Sequence, residues 1–544
     1  MIKKVRTMKY RFIFIFLIIT SLLSFSLKAQ DASFYIKYAD KGDADAMCKL
    51  ADCYFRGDGG VKKDYTLALG WYVRASKKGL PYAHFMAAYC YFYKLGTTED
   101  FLVNGLKYLD KALKKDYLPA FWLYAQHWKS INVISFYLEY LNKACQGGYP
   151  TAQAEYGIMY LNGSVQYNVA KDVPKAIDLL KKAAENDNLD AMYYLGLCHE
   201  SGNGVPTDPY KAFEYYNKAV QGGYLEAYSK VGYAYLAGEG VETDFAKAYQ
   251  YLRVAADYDV TEGYAYLGDI YYYGLGIDVN YKSAKEMYET AAAKGNPHSM
   301  CQLALIHGYG LGVDEDKSLM HKYYKQASDL SFPAGIVGLG NCHMNGYGVA
   351  DNPYIAFHLY KRAAMQEYAH AYYLLSLCYR EGKGIAKNTA EYITNLEKAA
   401  RLGYTSAKST LGFEYLTGEF ISGGANVYIA ERWFKQAAEE GDVYSEGFLG
   451  YSYYTGTELA KEKNYPLAYE YLTRALRNLD FDDLSDDLKA TVYRSLAGCY
   501  RYGRGCEADQ SLATFYTEKA AQYGDEGSKR AAQSLRKDPD TMLR

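Results

Sequence analysis

Three histidines of this 544-residue chain, His199, His307 and His343, stand at multiples of 36 residues from one another, which invites a metal-site reading. A zinc site needs three or four ligands converging at about 2.0–2.3 Å. The same position is Tyr235, Tyr271, Tyr379 and Tyr415 in other copies of the pattern, so it calls for an aromatic ring with a polar tip. Helices packed side by side lie about 8–10 Å apart, which keeps such residues from sharing one centre. No H-E-x-x-H or C-x-x-C occurs. Ser534 and Lys537 have the spacing of a serine–lysine acyl-transfer motif, yet S-D-N and K-T-G are both absent. The Gly-x-Gly pairs follow no strand and lead into no G-K-[ST], so they are not phosphate loops. Neither a catalytic set, a metal site nor a cofactor is expected.

The spacing itself carries the information. Gly202 recurs as Gly238, Gly274, Gly310, Gly346, Gly382 and Gly418, and Gly204 as Gly240, Gly276, Gly312, Gly348 and Gly384, without a gap. Val205 is followed by Val241, Ile277, Val313, Val349 and Ile385, and Ala219 by Ala255, Ala291, Ala327, Ala363 and Ala399. Residues 189–201 show helical periodicity through Ala191 and Leu195 and stop at a glycine that permits a left-handed exit. Asp208 then caps a second helix with Pro209 in its first turn, and Gly222-Gly223 ends it. The column Gly196, Gly232, Gly268, Ala304, Gly340, Ser376 and Gly412 is always small. Glycine within a helix costs about 1 kcal/mol relative to alanine, so close approach of the partner helix is the expected compensation.

A two-helix unit of this size cannot bury its apolar face alone, and units must stack. The regular core spans 189–404, with further copies at Leu50–Lys78, Ala83–Lys115, Ala120–Gly147, Ala152–Asp187, Ala407–Gly441, Ser445–Leu479 and Ala490–Gly524. Those between 83 and 147 are degenerate. The expected fold is all-α, a solenoid of about thirteen helix hairpins over residues 31–525. Asp480 to Asp487 is expected to form a surface loop, and 526–536 a capping helix before the tail that ends at 544.

The first thirty residues read as an export signal. Lys3, Lys4, Arg6, Lys9 and Arg11 precede an apolar run from Phe12 to Phe25, and small Ala29 ends the segment, so cleavage is expected near Ala29 or Gln30. The run is short of the roughly 20 residues that cross a bilayer; an uncleaved anchor is the alternative. No later stretch is apolar enough to span, and a periplasmic, surface or secreted location is expected. Taking the leader's six basic residues (those five and Lys28) from 61 leaves 55 against 63 acidic ones, a net of −8. Nucleic acid is therefore not an expected partner.

The stretch Ala227-Tyr-Ser-Lys-Val231-Gly232-Tyr-Ala-Tyr235-Leu-Ala-Gly238-Glu-Gly240-Val241, with Lys247-Ala248 and Ala255-Ala256 behind it, resembles the Sel-1-like repeat family, relatives of the tetratricopeptide repeats. The resemblance covers nearly all of the chain after the leader. It implies a right-handed α/α superhelix whose first helices line a concave groove, and a scaffold or adaptor for protein complexes. A cysteine-rich branch of the family bridges its helices in pairs; Cys145 falls near one such position, but the residue eight further on is Gln153. The cysteines therefore read mostly as small core thiols, with Cys499 and Cys506, across a helix end, the one pair left open.

Columns that repeat are fixed by the fold; first-helix columns that vary are free for binding. With the resemblance, these place Tyr194, Tyr233, Tyr266, Asp269, Tyr272, Tyr273, Tyr309, Asn341 and Arg380 as the candidate groove. Tyrosine supplies broad contact at modest entropic cost and suits interfaces. Most of the 64 tyrosines are expected to pack between repeats. The groove set reads as a site for a protein or peptide partner, with a glycan as the alternative, since aromatic faces also suit sugar rings.

Overall fold

In the computed structural model, which describes residues 31–98, 101–457, 459–460, 462–527 and 529, each repeat folds as its glycines and caps require. The helix Leu225–Ala237 ends at Gly238, whose φ of 72° forms the left-handed cap. Asp244 then opens the second helix, Phe245–Asp257. Its carboxylate accepts from the Lys247 amide at 2.9 Å, while its own amide donates to the Tyr235 carbonyl at 2.9 Å. One residue thus caps the second helix and ties it to the end of the first. Asp208, Asp316, Asn352 and Asn388 act alike, and Pro209 sits in the first turn as the sequence predicts.

Two kinds of glycine set the packing. Within a hairpin, a Cβ on Gly340 would lie 2.5 Å from the Tyr360 ring, one on Gly232 2.6 Å from Leu252, and one on Gly412 2.9 Å from Phe434. The missing side chain admits a large buried residue of the second helix, whose burial offsets the glycine's poor helix propensity. Between hairpins, the second glycine of each Gly-x-Gly is the contact. A Cβ on Gly240 would be 2.1 Å from the Pro209 carbonyl oxygen, on Gly348 2.1 Å from that of Lys317, and on Gly384 2.1 Å from that of Pro353. Each turn therefore rests on the first residues of the preceding second helix.

The chain divides into two units between Asn280 and Tyr281. Among the described residues, the first holds the helix Ala32–Ala39, six hairpins between Ala44 and Asp257, and the helix Thr261–Tyr273. The second holds the helix Tyr281–Ala293 and six hairpins between Pro297 and Gln522. From Ala44 onward the α-helices follow the alternation read from the sequence, the helix Ala32–Ala39 precedes them, and no strand is present among the described residues. The core of each unit is a chain of local clusters shared by neighbouring hairpins, as around Leu180 and Leu195, Tyr216 and Val231, or Tyr324 and Cys342. That is how a repeat buries a face it cannot bury alone.

Three segments depart from the pattern. The degenerate third hairpin, Leu118–Ser130 and Ile134–Gln146, turns in three residues without Gly-x-Gly. The fourth carries a longer turn in which Ser164 and Val169 form an antiparallel bridge. The acidic junction expected as a loop is instead folded: Leu479–Asp483 is a 3₁₀ turn, and Ser485 caps the helix Asp486–Tyr502. Phe481 and Leu484 anchor it in an apolar cluster, and Asp486 and Asp487 sit at the helix end that favours negative charge. The leader 1–30, and most of the capping segment 526–536 with Ser534 and Lys537, lie outside the described residues.

Candidate functional site

The histidine column is explained by stacking. His199 lies against Tyr215 and His307 against Tyr323, both at 5.8 Å with rings nearly parallel. Tyr235 against Tyr251 and Tyr500 against Tyr516 occupy the same places in their repeats. Burial holds the His307 imidazole below its ordinary pKa, which favours the neutral ring. His343, whose second-helix neighbour in that column is Leu359, stands edge-on to His321 at 5.7 Å. Among the described residues, no three His, Cys, Asp or Glu side chains gather as a metal site would require.

All ten cysteines are free thiols, eight of them buried. Cys499 and Cys506 pack in one apolar cluster, Cys506 half-buried. Burial pushes the thiols of Cys48, Cys53, Cys301, Cys378 and Cys499 up to about 12. At pH 8 these groups are protonated and shielded, so a thiol reagent should titrate no more than two sites per native chain, Cys145 and Cys506, and all ten after denaturation. Titration of five or more under native conditions would contradict this packing.

Of the nine candidate groove residues, the structure exposes two. Tyr194 stands edge-on to Tyr193 at 5.7 Å, and Tyr233 packs on Tyr266 at 4.9 Å, all half-buried. Burial raises the hydroxyl pKa of both Tyr233 and Tyr266. Asp269 is buried, and Tyr272 is half-buried against Tyr273 at 4.8 Å. Asn341 accepts a 2.7 Å hydrogen bond from the buried Tyr360 hydroxyl, and Arg380 lies 5.7 Å from the Tyr392 ring and 3.5 Å from Glu381. Tyr273 and Tyr309, each the last residue of its first helix, are 55% and 59% exposed. Lys317 Nζ stands 5.0 Å from the centre of the Tyr309 ring.

Polar contacts on the first-helix faces mostly join neighbouring repeats. Lys230 Nζ meets the Glu200 carboxylate at 2.8 and 3.0 Å, and the Tyr216 hydroxyl donates to the same carboxylate. Beside them, Phe213, Tyr233 and Glu239 line a cavity of about 40 Å³, room for little more than a water molecule. Glu155 is saturated: Trp122 Nε1 at 3.0 Å, Gln126 Nε2 at 2.8 Å, Lys129 Nζ at 2.7 Å and the Tyr137 hydroxyl at 2.7 Å all donate to it. These are ties between hairpins.

The exposed aromatic surface lies instead where each first helix turns into the second. Tyr210, Tyr354 and Tyr428, each the second residue of a second helix, are more than half exposed, as are Tyr273, Tyr309 and Tyr502 at first-helix ends. Among the described tyrosines exposed to that degree, only Tyr258 is elsewhere. The sequence carried a signal for these positions: the column Tyr210, Ala246, Lys282, Ser318, Tyr354 and Ala390 varies as freely as the groove columns.

Stacked α/α hairpins with capped turns define an α/α helical-repeat fold. The chain belongs to the Sel1 repeat family: the Sel1 repeat model matches residues 44–80, 81–117, 150–188, 189–224, 225–257, 261–296, 297–332, 333–368, 369–404, 408–442, 444–478 and 493–525. The hairpin 118–146 is passed over. Among solved structures, the chain is similar to c5321, a protective antigen of uropathogenic Escherichia coli strains with an SLR fold. Identity is 23% over 93% of this chain and 97% of that one, with a TM-score of 0.42. A Sel1 repeat protein from Oxalobacter formigenes is 25% identical over 45% of this chain and 96% of that one, with a TM-score of 0.39. Yeast Tom70 is 17% identical over 74% and 94%, with a TM-score of 0.34.

Proposed function

We propose that the chain is a non-enzymatic scaffold or adaptor that holds a protein or peptide partner in the cell envelope. The observation that carries this reading is the concentration of exposed tyrosine at the hairpin turns, on rigid helix ends. Such rings offer broad contact at small entropic cost, and each hydroxyl can orient a partner. Membership of a repeat family whose solenoids generally mediate protein–protein interaction supports it, and the leader read from the sequence supports export. Among the described residues, no helix is long and apolar enough to cross a membrane.

Replacing Tyr273 and Tyr309 together by alanine tests the reading. The expected outcome is a roughly tenfold loss of partner recovered after crosslinking, with far-ultraviolet dichroism unchanged, since exposed interface aromatics carry much of the binding energy. Undiminished recovery would contradict a role for these rings. Loss that follows glycosidase treatment of the partner, but not protease treatment, would make the ligand a glycan.

A further inference from the structure

The third and fourth hairpins depart from the repeat in opposite senses. The third turns in the three residues Ile131, Asn132 and Val133, whereas the fourth runs from Gly163 to Asp172 before its second helix, Val173–Ala184, begins. The longer turn is held in place. Ser164 and Val169 exchange backbone hydrogen bonds at 2.8 and 2.9 Å, Tyr167 packs on Tyr137 of the third hairpin at 5.1 Å, and the Asp172 amide donates to the Tyr160 carbonyl at 2.9 Å. Between the two hairpins, Leu138, Tyr156, Tyr160 and residues 168–174 line an open groove of about 780 Å³. Clefts that hold ligands measure about 300–1,000 Å³, so this one has the size of a site.

The groove joins an apolar wall to open main chain. Leu138, Tyr160, Val169 and Val173 are half-buried in it, and Pro174 is exposed at the start of the helix. Tyr156 is buried beside Tyr160, their ring centres 5.4 Å apart. From Ala170 to Asp172 the chain leaves the bridge without entering a helix or turn. It passes so close to the end of the first helix that a Cβ on Gly163 would lie 3.4 Å from the Lys171 amide nitrogen. The amide and carbonyl groups of Ala170 and Lys171 meet no partner among the described residues, and both residues are exposed. A non-helical run with its main chain open and an apolar cleft beside it is what a peptide strand can pair with.

Two ammonium groups stand at this groove. Lys175 Nζ donates to the Tyr160 hydroxyl at 2.8 Å and lies 4.1 Å from the centre of that ring, and Lys171 belongs to the lining itself. Neither forms an ion pair among the described residues, whereas Lys182 on the same helix is matched with Asp178 at 2.7 Å. The one carboxylate of the lining, Asp172, is taken up as the helix cap and accepts from the Lys175 amide at 3.1 Å. The groove therefore presents positive charge on a chain whose formal net charge is negative.

We infer that this groove binds an extended, acidic segment of a partner protein. Main-chain groups of the segment pair with those of Ala170 and Lys171, an apolar side chain lies among Leu138, Tyr160 and Val173, and a carboxylate meets Lys171 and Lys175. The open main chain and the two lysines favour an acidic peptide over a neutral sugar ring. Charge of this sign also raises the rate of encounter with such a segment. The inference rests on the scaffold reading and adds to it a contact of stated chemistry, separate from Tyr273 and Tyr309.

A photocrosslinking residue at Ala170, and separately at Tyr309, in the full chain expressed in its native cells tests it, with crosslinked peptides identified by mass spectrometry. The expected adduct at Ala170 is one protein segment of net negative charge. Lys171→Glu with Lys175→Glu should cut its yield about tenfold at unchanged helicity, and Lys171→Gln with Lys175→Gln by a smaller factor. Lys181→Glu, exposed on the same helix and outside the groove, should leave the yield unchanged. A basic segment, a glycan, no adduct at Ala170, a yield indifferent to both lysine pairs or one that falls equally with Lys181→Glu would overturn the inference. An adduct at Tyr309 with none at Ala170 would overturn this groove alone; protein adducts at neither would remove the scaffold reading with it.

Discussion

Gly348→Ala should destabilise the second unit by about 3 kcal/mol, a large effect for one methyl group. At φ 67° a side chain already carries a left-handed penalty of about 1–2 kcal/mol. The added Cβ would also stand 2.1 Å from the Lys317 carbonyl oxygen and 2.5 Å from its carbon, backbone that cannot swing aside. Overpacking of that kind costs about 1–3 kcal/mol. Gly403 supplies the control, because its φ is +89° but nothing lies within 4 Å of an added Cβ. Gly403→Ala should show the backbone penalty alone, about 1–2 kcal/mol. Urea denaturation of the three proteins separates the terms. Equal losses for the two variants would mean that the turns do not rest on the preceding helices as described.

Alkaline pH should unfold the chain cooperatively. Burial raises the hydroxyl pKa of Tyr72, Tyr137, Tyr216, Tyr360 and Tyr392 above the ordinary value of 10.0, and brings Tyr149 and Tyr156 to about 12. Tyr72 and Tyr137 also donate to Asp52 and Glu155, so ionisation would set two negative charges face to face. A phenol whose folded pKa lies above its unfolded one gives its full contribution below pH 10. That contribution is lost as pH rises from 10 towards the folded value, because the unfolded chain then releases a proton that the folded chain keeps. Tyrosinate absorbance should therefore rise in a steep step well above pH 10, together with loss of helical dichroism. A smooth titration centred near pH 10 with helices intact would contradict the burial of these rings.

The fold was legible because its determinants are local and repeated. The glycine that leaves the first helix, the Asp or Asn that caps the second and the small residue between them recur at one spacing, and each acts on residues close in sequence. The candidate site was legible only in part. Whether Tyr233 is exposed depends on Tyr266 in the next repeat, and whether Lys230 is available depends on Glu200 in the one before. A varying column shows that the fold does not dictate the residue; it does not show that neighbours leave it open. Tyr273 and Tyr309, the last residues of their first helices, stay more than half exposed. The third hairpin is legible as a degenerate copy, but the contact of its His127 with Phe92, 35 positions earlier, is one that no periodicity marks.

The central claim is that this stack of hairpins exists to hold another protein. Chemical crosslinking of the tagged chain in its native cells, followed by affinity capture and mass spectrometry, tests it most directly. The account predicts one or two proteins recovered in stoichiometric amount, with crosslinks at the hairpin turns. Recovery of polysaccharide alone, or of nothing, would contradict it.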